Sequence, residues 1–288
     1  MISKTVGLLG ATSLVGERLI SLLHRDGAKA HAFSRRPQAS GSADLIWQQL
    51  SAVNHSDCGL INDWLCAAPI WVLPEHFTLL ESSGAQRIVV LSSTSRFTKE
   101  ESQDKGEKAT AARLIEGEER LKIWAASRGI EWIILRPTLI YGHGQDKNIS
   151  EIVRFIRQFG FFPLLGKANG LRQPIHVKDV AKACLAALES PAASNHAYNI
   201  SGEETLPYRE MVNRVFAALH RSPRMLTIPF AVFNLAVTCM RLLPRYEHWS
   251  VAMAERMNSD LVFDHSDAEK DFGFSPRPFR ISQEDLPR

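Results

Sequence analysis

The sequence predicts an α/β fold in which helices cover both faces of a doubly wound parallel sheet. Three observations support this prediction. Strand-like apolar runs alternate with helix-like segments through the first half, a glycine turn joins the first strand to the first helix, and one later run is apolar enough for a strand buried on both faces. The 288 residues, 45% of them hydrophobic, suffice for a sizeable globular core.

The first elements follow from local pattern. Thr5–Leu9 is predicted as a strand, and leucines at helical spacing follow until Gly27, a residue type favoured just after a helix. Ala28–Phe33 is predicted as the second strand. Arg87–Leu91 is the clearest buried strand, and Gly59–Asn62 is a weaker candidate between them.

The remaining elements complete the prediction. A helix is expected over about residues 108–127, before Gly129, and a strand over Glu131–Leu135, which gives about six or seven strands in all. We expect a nucleotide-binding domain over 1–150, completed by strands from 170–200. A smaller and mostly helical substrate or cap region, punctuated by prolines, follows over 151–288, and its end, Phe274–Arg288, is expected to extend over the surface.

The composition and charge of the chain limit its expected partners and location. The net charge of +3 is spread along the chain, so nucleic acid is not expected. Cys58, Cys66, Cys184 and Cys239 form no C-x-x-C pair, which argues against a disulfide framework and a metal site and fits a reducing cytoplasm. No leader is expected at the start. The apolar stretch Ile228–Leu243 is too short to span a bilayer, so it is either a core helix or a peripheral membrane contact.

The glycine turn is the first candidate site. It reads Gly10-Ala11-Thr12-Ser13-Leu14-Val15-Gly16, between a strand and a helix, where the free N–H groups of the helix N-terminus favour a pyrophosphate. A purely structural turn that packs the helix on the strand is the alternative. Ser13 places a Cβ where a glycine would be expected, and its hydroxyl could bond the phosphate instead.

The end of the second strand bears on the choice of cofactor. In Rossmann proteins an acidic residue there favours NAD(H), whereas arginine accommodates the additional phosphate of NADP(H). This chain has Ser34-Arg35-Arg36, and guanidinium groups bind phosphate through charge-assisted hydrogen bonds. We therefore favour NADP(H) over NAD(H), with a solvated pair of surface arginines as the alternative.

Four motifs in order resemble the NAD-dependent epimerase/dehydratase family, that is, the extended and atypical short-chain dehydrogenases. They are the glycine turn, Leu91-Ser92-Ser93-Thr94, Arg136 to Gly142 and Arg172 to Ala181. Tyr198 to Gly202 and Ala268 to Pro276 resemble the family's C-terminal landmarks. The resemblance covers nearly the whole chain, and it implies a Rossmann fold and a nicotinamide dinucleotide.

The resemblance also implies site residues. The glycine turn would hold the pyrophosphate, and Ser93 would bond the substrate oxygen, with Thr94 and Arg172 as further substrate contacts. A homodimer through the long helix is a further family expectation. Residues lining the path from adenosine to nicotinamide would be Ala67, Ala68, Pro69, Leu91, Ser92, Pro137 and Leu139.

One family feature is missing. Members use a tyrosine followed four positions later by lysine, whose charge lowers the pKa of the phenol so that it can exchange a proton. Tyr141, Tyr198, Tyr208 and Tyr246 all lack that lysine. Lys105, Lys108, Glu116 and His143 are candidate substitutes, each with a structural alternative as a solvated or loop residue.

Two functions therefore stay open. The first is an NADP(H)-dependent oxidoreductase, epimerase or dehydratase that acts on a sugar nucleotide or similar small metabolite, which we favour slightly. The second is a dinucleotide-binding sensor or accessory subunit without turnover, which the missing proton relay favours.

Overall fold

The computed structural model describes residues 4–39, 41–51, 59–102, 104–229 and 256–288. The central sheet, counted within those ranges, has seven parallel strands: β1 (Thr5–Leu9), β2 (Lys29–Ser34), β3 (Leu45–Gln49), β4 (Asp63–Cys66), β5 (Arg87–Leu91), β6 (Glu131–Pro137) and β11 (His196–Ile200). Their order across the sheet is β11-β6-β5-β4-β1-β2-β3. The predicted α/β fold with a Rossmann-type sheet is confirmed.

Helices cover both faces of this sheet and build most of the smaller region beyond it. They are α1 (Leu14–Arg25), α2 (Phe77–Ser82), α3 (Ser95–Thr98), α4 (Lys105–Arg128), α5 (Ile149–Phe159), α6 (Val177–Glu189), α7 (Tyr208–Ala218) and α8 (Ser266–Phe272). Short strand pairs accompany them: β7 (Ile140–Tyr141) with β10 (Ile175–His176), β9 (Leu171–Arg172) with β12 (Leu206–Pro207), and β8 (Phe162–Leu165) with β13 (Met225–Ile228).

Two hydrophobic clusters lie against the sheet. One places Leu19 of α1 with Val180 of α6, and the other places Leu121 of α4 against a 3-10 helix over Ile70–His76. A third cluster holds the smaller region together and includes Val153 of α5 and Phe216 of α7. Because β11 joins β6 in the central sheet, the chain returns to that sheet after α5 and α6.

Two predictions about this architecture were wrong. The strand expected at Gly59–Asn62 lies instead at Asp63–Cys66, since Gly59 adopts a left-handed backbone with φ of 66° and β4 pairs with β1 from Asp63 onward. The end of the chain is not simply spread over the surface. Phe279 and Leu286 are buried against the smaller region, and the Arg277 guanidinium binds the Asp179 carboxylate at 2.8 Å.

Candidate dinucleotide-binding site

The glycine turn is held tightly against the sheet. Gly10 has φ of 73°, and a Cβ there would lie 2.4 Å from the backbone nitrogen of Ala68. A Cβ on Gly16 would lie 2.2 Å from the carbonyl oxygen of Gly10. Only glycine fits both positions, because the turn must pass close to β4 and then enter α1 without a gap.

The N-terminus of α1 opens directly after this turn, and Thr12 beside it is exposed. Ser13 is the N-cap residue, and its hydroxyl oxygen accepts a hydrogen bond from the Gly16 N–H at 3.0 Å. The Ser13 hydroxyl, which was expected to bond a phosphate, therefore already caps the N-terminus of α1. Leu14 and Val15 begin the helix, where N–H groups have no intrahelical acceptor and favour an anion.

The end of β2 carries the two arginines in accessible positions. Ser34 is buried, and its hydroxyl oxygen accepts a hydrogen bond from the Arg36 N–H at 3.2 Å, which turns the chain outward. Arg35 and Arg36 are both exposed. Neither guanidinium pairs with an acidic group within the described ranges, so both are available to a phosphate placed at this strand end.

The carboxyl ends of β4, β5 and β6 lie beside the turn. Ala67 and Ala68 are half-buried and Pro69 is exposed just after β4, where the Ala67 N–H donates to the Leu9 carbonyl at 2.9 Å. Leu91, which ends β5, and Pro137, which ends β6, are buried, and Leu139 after them is half-buried. The structure thus brings to one edge of the sheet the residues expected along the dinucleotide path.

The substrate-oxygen candidates lie at the end of β5. Ser93 is half-buried, and its hydroxyl oxygen accepts a hydrogen bond from the Ser95 N–H at 3.1 Å, so its own proton is not committed by that bond. Thr94 is buried and donates through its hydroxyl to the Pro137 carbonyl at 3.2 Å. Thr94 therefore joins the ends of β5 and β6, and Ser93 is the more accessible hydroxyl.

A buried carboxylate beneath these residues was not anticipated. Glu118 is 0% exposed and accepts hydrogen bonds from the Ser92 hydroxyl at 2.6 Å and from Arg136 at 3.0 and 2.6 Å. Arg96 of α3 also pairs with it. A sequence signal existed, because Glu118 shares the helical face of Leu114 and Leu121, where an apolar residue would be expected.

Arg172 is engaged by the protein itself. Its guanidinium is buried, donates to the backbone carbonyls of Leu171 at 2.7 Å and Ser259 at 2.8 Å and to that of Arg256, and lies over the Tyr208 ring. Burial lowers the pKa of this group to about 10. In this conformation Arg172 joins β9 to the segment after residue 255, and a role in substrate binding stays a prediction.

No described tyrosine is prepared as a proton donor or acceptor. Burial raises the pKa of Tyr141 and of Tyr208 to about 12, and burial together with Asp271 raises the pKa of Tyr198 as well. A lysine would lower these values, and none accompanies any of the three hydroxyls in the part of the chain that the structure describes. Tyr246 lies outside that part, as do Cys58, Cys239 and residues 230–243 of the apolar stretch.

The four candidate substitutes for the tyrosine–lysine pair differ in burial. Lys105, Lys108 and Glu116 are exposed on α4, and Glu116 lies 3.8 Å from Arg120, as expected for a solvated helix face. His143 is half-buried in a strained loop with φ of 55°. Its Nε2 atom is buried without a partner among the described groups, and burial and Arg18 lower the pKa of the ring, so it is neutral at neutral pH.

Among the described residues, no group of histidine, cysteine and acidic side chains is arranged to hold a metal ion. No helix among them is long and apolar enough to cross a membrane.

The sheet order and the glycine turn define a Rossmann-type fold with a candidate dinucleotide site. Residues 77–201 match the model of the NAD dependent epimerase/dehydratase family. This match confirms, over these residues, the resemblance carried by the sequence motifs.

Curated relatives match over parts of their length. UDP-glucose 4-epimerase of Vibrio cholerae is 22% identical over 161 residues, which cover 56% of this chain and 47% of the relative. 2-Alkyl-3-oxoalkanoate reductase of Stenotrophomonas maltophilia is 29% identical over 156 residues, with coverage of 50% and 47%. NADH dehydrogenase [ubiquinone] 1 alpha subcomplex subunit 9 of Arabidopsis thaliana is 29% identical over 103 residues, with coverage of 35% and 25%. The matches thus span less than half of these relatives.

Solved structures share the fold over almost the whole chain. MoeE5 in complex with UDP-glucuronic acid and NAD has a TM-score of 0.69 at 19% identity, and the match covers 98% of this chain and 96% of that one. UDP-N-acetylglucosamine 4-epimerase from Bacillus cereus has a TM-score of 0.68 at 18% identity, with coverage of 95% and 91%.

Proposed function

We propose that this chain binds NADP(H) in preference to NAD(H) and acts as an oxidoreductase, epimerase or dehydratase on a hydroxyl or carbonyl group of a sugar nucleotide or similar small metabolite. The observation that carries the cofactor preference is the end of β2. Arg35 and Arg36 are exposed there beside Ser34, where an NAD(H)-specific protein would present a carboxylate. The nucleotide sugars bound by the structural neighbours support the substrate class.

The residues present fit a dinucleotide. Gly10 and Gly16 keep the turn against the sheet, so the N-terminus of α1 is open and would hold the pyrophosphate of a bound dinucleotide. A bound nicotinamide would supply hydride transfer. The chain's own residues would orient the reactants, with Ser93 donating its hydroxyl proton in a hydrogen bond to the substrate oxygen and Pro137 and Leu139 limiting water.

The proposed acid or base is an altered group, since the tyrosine–lysine pair is absent from the described helix α4. His143 is preferred among the four candidates, because it is half-buried and its buried Nε2 atom has no partner among the described groups. A homodimer through α4 belongs to the same proposal, supported by Ile123 being 70% exposed on that helix. A cytoplasmic location is proposed as well, because Cys66 and Cys184 are free thiols.

The direct test is a fluorescence titration with NADPH and NADH. We expect NADPH to bind about tenfold more tightly or better, and Arg35→Asp to remove that preference, because a carboxylate would repel the phosphate. Arg224→Asp, at another exposed arginine, should leave both affinities unchanged. Equal binding of the two nucleotides, or an Arg35→Asp variant that keeps the preference, would contradict the proposal.

A second function is favoured by the buried phenols. A dinucleotide-binding sensor or accessory subunit needs no proton relay, and burial raises the pKa of the three described tyrosines, which disfavours the phenolate that such a relay uses. The two functions are separated by following NADPH absorbance with carbonyl metabolites and, by chromatography, the conversion of sugar nucleotides, because an epimerase or dehydratase regenerates its cofactor. Turnover in either assay supports the enzyme, whereas tight binding without turnover supports the sensor.

A further inference from the structure

An exposed aromatic side chain follows the candidate substrate hydroxyl closely in the chain. Phe97 is 46% exposed on α3, four residues after Ser93, and its N–H donates to the Thr94 carbonyl at 3.0 Å. Phe263 lies against it, with the two ring centroids 6.0 Å apart. Exposed aromatic side chains beside a polar site commonly mark a binding surface.

The partner ring is held in place by buried groups. The Phe263 N–H donates to the Gln173 side-chain oxygen at 2.7 Å, and its carbonyl accepts a hydrogen bond from the Ser201 hydroxyl at 3.0 Å. Gln173 and Ser201 are both buried. Val262, which precedes Phe263, is 44% exposed. These bonds fix the segment against the central sheet, so the apolar surface is built rather than incidental.

The same surface carries an excess of positive charge. The guanidinium carbons of Arg96 and Arg136 lie 5.0 and 5.3 Å from the centre of the Phe97 ring. Both arginines share the single carboxylate of Glu118. Glu119 also attracts both arginines, but it is exposed and pairs with Lys122. The three cations and two anions together leave one positive charge, which favours an anionic ligand.

We infer that the substrate of this site is a carbonyl or hydroxyl compound that carries an alkyl or aryl group next to the reacting carbon, together with a negatively charged group. Its apolar group packs on Phe97 and Phe263, and its charge faces Arg96. This inference rests on the proposed function and selects, from the two substrate classes named there, the small carbonyl or hydroxyl metabolites over the sugar nucleotides. The hydroxyls of a hexose would meet mainly apolar side chains at this position and lose hydrogen bonds to water.

Binding of small probes to the full chain saturated with NADP⁺, measured by titration calorimetry, tests the inference. Benzoylformate has both the ring and the charge, acetophenone has the ring without the charge, and pyruvate has the charge with only a methyl group in place of the ring. We expect benzoylformate to bind about tenfold more tightly than either of the others. Phe97→Ala should remove its advantage over pyruvate, and Arg96→Gln its advantage over acetophenone.

Phe159→Ala is the matched control, because Phe159 is 43% exposed on α5. It should leave every affinity unchanged. Phe97→Leu replaces Phe97→Ala if thermal melting shows that the alanine variant does not fold. Benzoylformate binding no tighter than pyruvate, equal effects of the Phe97 and Phe159 variants, or tighter binding of UDP-glucose than of benzoylformate would each overturn the inference.

The proposed function is judged separately by the affinity of the same preparations for NADPH. Absence of NADPH binding contradicts the proposed function, and the probe series is then measured without nucleotide. Normal NADPH binding with no discrimination among the probes contradicts only the substrate class.

Discussion

Replacing Glu118 tests whether the buried ion pairs hold the floor of the candidate site. The Glu118 carboxylate accepts hydrogen bonds from Arg136 at 3.0 and 2.6 Å and from Ser92 at 2.6 Å, and it also neutralises Arg96. Glu118→Gln keeps the shape but leaves two largely buried guanidinium groups without a counter-ion. Breaking a buried ion pair costs about 3–5 kcal/mol, and the glutamine oxygen still accepts one bond, so we expect a loss of about 3 kcal/mol.

The assay is urea unfolding followed by circular dichroism. A loss of this size is a large part of the roughly 5–15 kcal/mol by which folded proteins are stable. The neighbouring Glu119 provides the control, because it is exposed and pairs with Lys122 at 2.7 Å. Glu119→Gln should cost less than about 0.5 kcal/mol.

A double variant examines the charge argument directly. Adding Arg96→Gln to Glu118→Gln removes one of the two unpaired cations, so we expect about 1 kcal/mol or more to be regained. A Glu118→Gln variant within about 1 kcal/mol of Glu119→Gln, or a double variant less stable than Glu118→Gln alone, would refute the reasoning.

Three further predictions follow from the geometry. Gly10→Ala should abolish NADPH binding and lower the free energy of unfolding by about 2 kcal/mol or more, because its Cβ would lie 2.4 Å from the Ala68 nitrogen. Gly27→Ala is the control and should cost only about 1 kcal/mol, because no atom lies within 4 Å of its Cβ. Equal losses of the two variants in urea unfolding would contradict this prediction. Burial raises the pKa of Asp285, but hydrogen bonds from His176 and Ser282 outweigh it and hold that pKa below the unfolded value of about 3.9, so the stabilisation is present above that pH and lost as the pH falls. The stability difference between the protein and Asp285→Asn should therefore shrink on acidification, and a pH-independent difference would be evidence against this assignment. Burial raises the pKa of the Cys66 and Cys184 thiols to about 12, so both should resist iodoacetamide in the native protein and react after unfolding. Peptide mapping measures this, and labelling of either thiol in the native protein would contradict the burial of that thiol.

Much of the nucleotide-binding half could be predicted from local sequence. Strand β5 has the predicted bounds, and helix α4 begins three residues before the expected start and ends one residue after the expected end. The edge strand β3 was missed because its residues are only partly buried and lack a strong apolar pattern. Local periodicity reports burial on one face of an element, so it fails where an edge strand is half-exposed.

Only part of the candidate site could likewise be predicted from local sequence. The glycine turn and the Arg35–Arg36 pair could be located because each depends on residues adjacent in the chain. Arg172 shows the limit of motif reasoning, since the structure commits its guanidinium to backbone carbonyls that come from distant segments. The Phe97–Phe263 pair was not predicted, because neither residue belongs to a motif.

The sequence by itself determined the alternation of strands and helices, the glycine turn and the basic end of β2, because these features arise from neighbours along the chain. Tertiary structure alone decided which charges share Glu118, which phenols are buried and which aromatic side chains meet beside Ser93. Such pairings depend on the packing of α4 and the C-terminal segment against the sheet. Their energies come from burial and distance, which the order of residues does not specify.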